Sequence, residues 1–79
     1  MGELETLEAI IKLNDRLGRA VNKLEISEET GYHIQCTGRS LVKLKRWHEV
    51  ELEQHIQQGK GRSFYYTVPQ HVRERIEAV

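Results

Sequence analysis

The sequence holds a single cysteine, Cys36, so no disulfide can close within one chain. A reducing, cytoplasmic setting is the default expectation. No apolar run approaches the roughly 20 residues a membrane span needs. The N-terminus lacks a basic region followed by an apolar stretch, so no secretory signal is read. Gly59-Lys60-Gly61 lacks the strand–loop–helix context of a phosphate loop. The four histidines, His33, His48, His55 and His71, show no close ligand spacing, and with one cysteine a zinc site is not expected. Glu28 and Glu29 are adjacent, so on a helix they face different sides and make a poor catalytic pair. The expectation is a protein with no catalysis, cofactor, metal or membrane partner. Seventy-nine residues suffice for one small core, hence one domain over 1–79.

Net charge is also missing: 12 basic side chains meet 12 acidic ones. The distribution is uneven, however. Residues 1–31 carry seven acids against four bases, and 49–58 carry Glu49, Glu51 and Glu53 without a base. Residues 32–48 carry Arg39, Lys43, Lys45 and Arg46 without an acid, and 59–68 carry only Lys60 and Arg62. A neutral chain built this way can still present a basic face.

Periodicity divides the chain. Leu4, Leu7, Ile10 or Ile11, Leu13 or Asn14, and Leu17 recur at helical spacing, with Glu3, Glu5 and Glu8 suiting the positive end of the helix dipole. Gly18 is the stop. Arg19-Ala20-Val21 is long enough only for a short strand added to a sheet elsewhere. Asn22 with Glu25 forms a capping box for a helix over 23–30, with Leu24, Ile26 and Ser27 facing inward. Gly31 ends it in the left-handed conformation. A third helix runs from His33 to about His48. Ile34, Thr37, Leu41, Leu44 and Trp47 or His48 line one side, and Gln35, Arg39, Val42, Lys43 and Arg46 the other. Trp47 is expected to cover the core and Cys36 to be half-buried. Alternation then changes to period two: Val50, Leu52 and, with a phase slip, Ile56. A turn over 57–62 leads to a strand over 63–68, where one of Tyr65 and Tyr66 faces inward. Pro69 stops that strand and opens a last helix over 70–78.

The stretch from Glu25 to Leu44 resembles a helix-turn-helix signature. Ser27 stands where that family has a small residue at the helix crossing, Gly31 where it has the turn glycine, and Tyr32 where an apolar residue follows. Cys36-Thr37-Gly38-Arg39-Ser40-Leu41 is similar to the reading helix of the catabolite-activator type of bacterial regulator. In that helix an arginine at the position of Arg39 reaches a base edge. Thr37 and Ser40 stand where the family usually has apolar residues, and His33 where Ser or Asn caps the helix. The order of elements also resembles archaeal and bacterial winged-helix regulators. The implied fold is α+β: a winged helix-turn-helix of three helices, a hairpin wing and a short C-terminal helix.

That resemblance implies a double-stranded DNA partner, a role in transcription regulation and, if the source is prokaryotic, association with the nucleoid. Gln35 and Arg39, one turn apart, suit adenine and guanine edges in the major groove, with Gly38 letting the backbone approach. His33, Lys43, Arg46, Lys60 and Arg62 are then expected on phosphates or, through the wing, in an adjacent groove. So few contacts give modest, salt-sensitive affinity for one copy, for which a homodimer on two half-sites is the usual remedy. The first or last helix would supply the dimer contact. The alternative is a winged-helix protein-interaction module, favoured by the acidic flank and zero net charge. Single-strand or RNA binding through Tyr65 and Tyr66 is a third reading.

Overall fold

The computed structural model describes residues 2–57 and 61–77, with the side chains of 53–63 outside the description. The first helix, α1, spans Gly2–Leu17. Leu7, Ile10 and Leu13 bury its inner stripe, whereas Leu4 and Leu17, expected on that stripe, are exposed at its two ends. Gly18 ends it at φ 68, its N–H donating to Asn14 O at 2.8 Å. The Asn14 amide then donates to Arg19 O at 3.0 Å and to Tyr66 O at 3.4 Å, tying the end of α1 to the sheet.

The short strand β1 is Val21–Asn22, displaced from the expected 19–21. Asn22 is also the N-cap of α2, Lys23–Thr30. The capping box forms as the sequence suggests. Glu25 N–H donates to Asn22 Oδ1 at 2.8 Å and Asn22 N–H to Glu25 Oε1 at 3.1 Å. Arg19 grips the same carboxylate through two nitrogens, at 3.0 and 2.6 Å. That guanidinium, aided by the Asn22 N–H and opposed by partial burial, holds the Glu25 carboxyl below its usual range. The box also fixes the helical phase. Ile26 is fully buried, so Leu24, two positions away, must lie on the opposite side and is 56% exposed, contrary to its expected inward role.

Gly31, at φ 79, supplies the left-handed residue that turns the chain out of α2. Ser27 Oγ donates to Tyr32 O at 2.6 Å across this turn, and Tyr32 N–H donates to Thr30 Oγ1 at 3.2 Å. The Tyr32 ring is exposed and does not fill the apolar position it was expected to hold.

Helix α3 spans Ile34–Arg46, shorter than the expected run to His48. His33 caps its start, Nδ1 accepting from Gln35 N–H at 3.1 Å. At its other end His48 takes φ 57, and Glu49 N–H donates back to Leu44 O at 2.9 Å. This left-handed residue redirects the chain so that Val50 drops into the core. Trp47 is left 56% exposed instead of covering the core.

Strands β2 (Glu51–Gln57) and β3 (Gly61–Thr67) pair antiparallel, from Glu51 opposite Thr67 to Gln57 opposite Gly61. Val21 and Asn22 pair with Tyr66 and Tyr65, so the strand order is β1-β3-β2. Tyr66 packs against the core, and burial pushes its hydroxyl pKa up. Helix α4, Gln70–Glu77, follows Pro69; Val72 anchors it, with Arg73 bonded to Asp15 and Arg75 to Glu49.

One core joins these elements: Leu7, Ile10 and Leu13 of α1, Val21, Ile26, Leu41 and Leu44 of the other helices and β1, and Val50, Val68 and Val72. Full burial of each such side chain contributes about 1.5–3 kcal/mol before conformational entropy is set against it. Thr37 lies within the buried set, but its Oγ1 meets no hydrogen-bond partner among the described residues. The three helices with the β2–β3 hairpin and β1 form an α+β winged helix-turn-helix, the hairpin being its wing.

Candidate nucleic-acid interface

Helix α3 positions the candidate site because its core side is fixed. Thr37, Leu41 and Leu44 are buried, and a helix turns about 100° per residue. The opposite direction is then occupied by Gln35, Arg39 and Arg46, all exposed, with the exposed Val42 beside them. Of the residues expected to read bases, Gln35 and Arg39 therefore share one outward face, and Gly38 does not lie on it. His33 sits at the start of this face, exposed, its ring nitrogen committed to the cap.

Charge pairing separates these residues from the rest. Arg16 pairs with Glu29 at 3.0 Å and Arg19 with Glu25 at 2.6 Å, while Arg73 and Arg75 hold Asp15 and Glu49. Among the described residues, Arg39 and Arg46 have no acidic partner. Lys43, expected on phosphate, turns towards α1 and pairs with Glu3 at 3.3 Å. Lys43, Lys45 and Arg46 also sit in the last turn of α3, where cations suit the negative end of the dipole. Helix-end stabilisation thus accounts for part of this cluster, but not for Arg39, which stands in the middle of the helix.

Gly38 was expected to bare the backbone of α3. A β-carbon built there would point at the Lys23 side chain, 3.5 Å from Cδ and 3.7 Å from Nζ. The space beside Gly38 is therefore on the α2 side, occupied by Lys23. Lys23 went unremarked in the sequence, yet it is exposed, unpaired among the described residues, and the first residue of α2. A cation at a helix N-terminus opposes the dipole, and that misfit was the available signal.

Cys36 is exposed, not half-buried. It lies between the outward face and the α1 side of α3. Lys60 falls outside the described residues. Arg62 is described only through its backbone, opposite Ile56 in the hairpin. Among the described residues, no three His, Cys, Asp or Glu side chains gather as metal ligands would. No described helix is long and apolar enough to cross a membrane.

No family model matches the sequence, and no curated protein does. In fold, the chain is similar to a solved structure named as a possible transcriptional regulator from Methanosarcina mazei Go1. The TM-score is 0.75 at 16% identity, over 98% of this chain and 63% of that one. This chain thus spans less than two thirds of the length of that protein. At such identity the likeness concerns the fold, which is the winged helix-turn-helix described above.

Proposed function

We propose that residues 1–79 act as one domain that binds double-stranded DNA, as a transcriptional regulator or the DNA-binding part of one, without enzymatic activity. The observation that carries this reading is the partition of the arginines. Of those whose side chains are described, four hold carboxylates, and the two left without one, Arg39 and Arg46, share the outward face of α3 with Gln35. The solved structure of similar fold is named as a possible transcriptional regulator, which agrees with this reading.

In this reading α3 enters the major groove. Gln35 and Arg39 contact base edges, and Gly38 makes room for Lys23 at their flank. Arg46, Lys23 and the start of α3 at His33 hold phosphates, while Lys60 and Arg62 of the wing reach the neighbouring backbone. Lys43 joins them only by giving up Glu3. A homodimer on two half-sites would raise affinity and fix site spacing.

The test is a titration into labelled duplexes at low and physiological salt. Arg39→Ala should relax preference at one base position at a cost of about 1–3 kcal/mol. Arg46→Ala should weaken all sequences alike and lower the salt slope by about one. Absence of binding at low salt would sink the reading and leave the protein-interaction module in its place.

A further inference from the structure

Where the first turns of α1, the end of α3 and α4 meet, the surface opens into a groove of about 600 Å³. That volume is within the range of small-molecule sites, roughly 300–1,000 Å³. Its wall is apolar, made by Leu4, Leu7, Leu44, Trp47 and Ile76. Leu4 and Trp47 are the reason it stays open: both are more than half exposed. Large apolar side chains exposed together around a concave surface mark a binding site more often than scattered ones do.

The charges at the edge select the occupant. Among the described residues, the charged groups lining the groove are Glu3, Glu8, Glu49 and Arg75. Arg75 is held by Glu49, and Glu3 is met by Lys43. Glu8 is exposed and has no ionic partner among the described residues. The groove thus combines an apolar wall, the Trp47 indole and, in Glu8, one carboxylate without an ionic partner among the described residues. An indole ring attracts cations through its quadrupole, and the Glu8 carboxylate repels anions.

We propose that this groove binds an amphiphilic organic cation, a small molecule with a bulky apolar body and one positive centre. The body lies against Leu4, Leu7 and Ile76. The positive centre is held by the Trp47 ring and the carboxylate edge that includes Glu8. The proposal uses neither Gln35 nor Arg39, so it stands or falls separately from DNA binding.

Trp47 is the only tryptophan in the chain, so its fluorescence reports this groove directly. The full chain is titrated with tetraphenylphosphonium and, in parallel, with tetraphenylborate, an anion of the same shape. The cation should change Trp47 emission saturably and bind at least about tenfold more tightly than the anion. Glu8→Gln should weaken cation binding by about two- to fivefold with an unchanged circular dichroism spectrum, the range expected of an exposed charge pair. Leu4→Ala should weaken cation and anion alike. Equal affinity for the two ions, absence of saturation, or indifference to both substitutions would overturn the proposal. Emission that changes with protein concentration alone would overturn it in favour of a second copy.

Discussion

Replacing Gly38 by alanine separates stability from recognition on α3. Gly38 lies inside the helix, and its φ is not in the left-handed region that favours glycine. The added methyl would meet Lys23 Cδ at 3.5 Å and Nζ at 3.7 Å, which are ordinary contact distances against the far end of a flexible side chain. Nothing therefore opposes the gain in helix propensity, about 0.5–1 kcal/mol for glycine to alanine. For a chain of this size each kcal/mol moves Tm by roughly 4–8 °C, so Gly38→Ala should raise it by about 2–8 °C. The control is Gly31→Ala, where φ 79 makes a β-carbon unfavourable by about 1–2 kcal/mol and Tm should fall. Thermal melts followed by circular dichroism read both. Because the space at Gly38 faces Lys23, duplex affinity should change by less than about twofold. A lower Tm for Gly38→Ala would refute the packing argument. A raised Tm with a tenfold loss of DNA affinity would show that the helix backbone itself approaches the groove at Gly38.

Other substitutions test the remaining local arguments. Thr37→Val removes a buried hydroxyl that has no partner and should stabilise the fold by about 1 kcal/mol in a denaturant titration. His48→Gly relieves a side chain held at φ 57 and should stabilise by up to about 1 kcal/mol in the same assay. Glu25, held below its usual carboxyl range first by Arg19, binds its proton more readily unfolded than folded. Its contribution is therefore complete above about pH 4.5 and is lost as pH falls through the lowered folded value. Glu25→Gln should flatten this acid limb of stability, and an unchanged limb would show that the Arg19–Glu25 contact has no energetic weight.

Much of the fold was legible because its signals are local. The capping box at Asn22 and Glu25, the left-handed Gly31 and the switch from helical to two-residue period each act within a few positions. They place α2, the turn and the hairpin without reference to the rest of the chain. Tertiary packing decides the rest. Leu24 and Trp47 are apolar and their residue type predicts core, but the phase fixed by Asn22 and the reversal at His48 turn both outward. His48 gave no glycine or asparagine to mark that reversal. Cys36 was read as half-buried from its residue type, yet it is exposed on α3. For the candidate site, helical spacing sufficed to bring Gln35, Arg39 and Arg46 to one face. It could not foresee Glu3 on α1 meeting Lys43 on α3, because that contact depends on how two helices cross.

That same contact explains how a neutral chain can carry a selective basic face. Zero net charge weakens long-range attraction to any polyanion, so recognition must come from cations that are not already satisfied. Here five of the twelve acids, all outside α3, hold particular cations: Asp15 holds Arg73, Glu29 Arg16, Glu25 Arg19, Glu49 Arg75 and Glu3 Lys43. Exposed pairs of this kind add little stability, typically below about 1 kcal/mol each. Their larger effect is to occupy Arg16, Arg19, Lys43, Arg73 and Arg75, so that among the described residues Arg39 and Arg46 are the arginines left without a carboxylate. On this argument Glu3→Gln frees Lys43 for phosphate, and duplex affinity should rise for all sequences alike, with a steeper salt slope. A gain confined to one sequence would instead place Lys43 at a base edge. No gain at all would mean that Lys43 points away from bound DNA, and the proposed interface would then lose Lys43 alone.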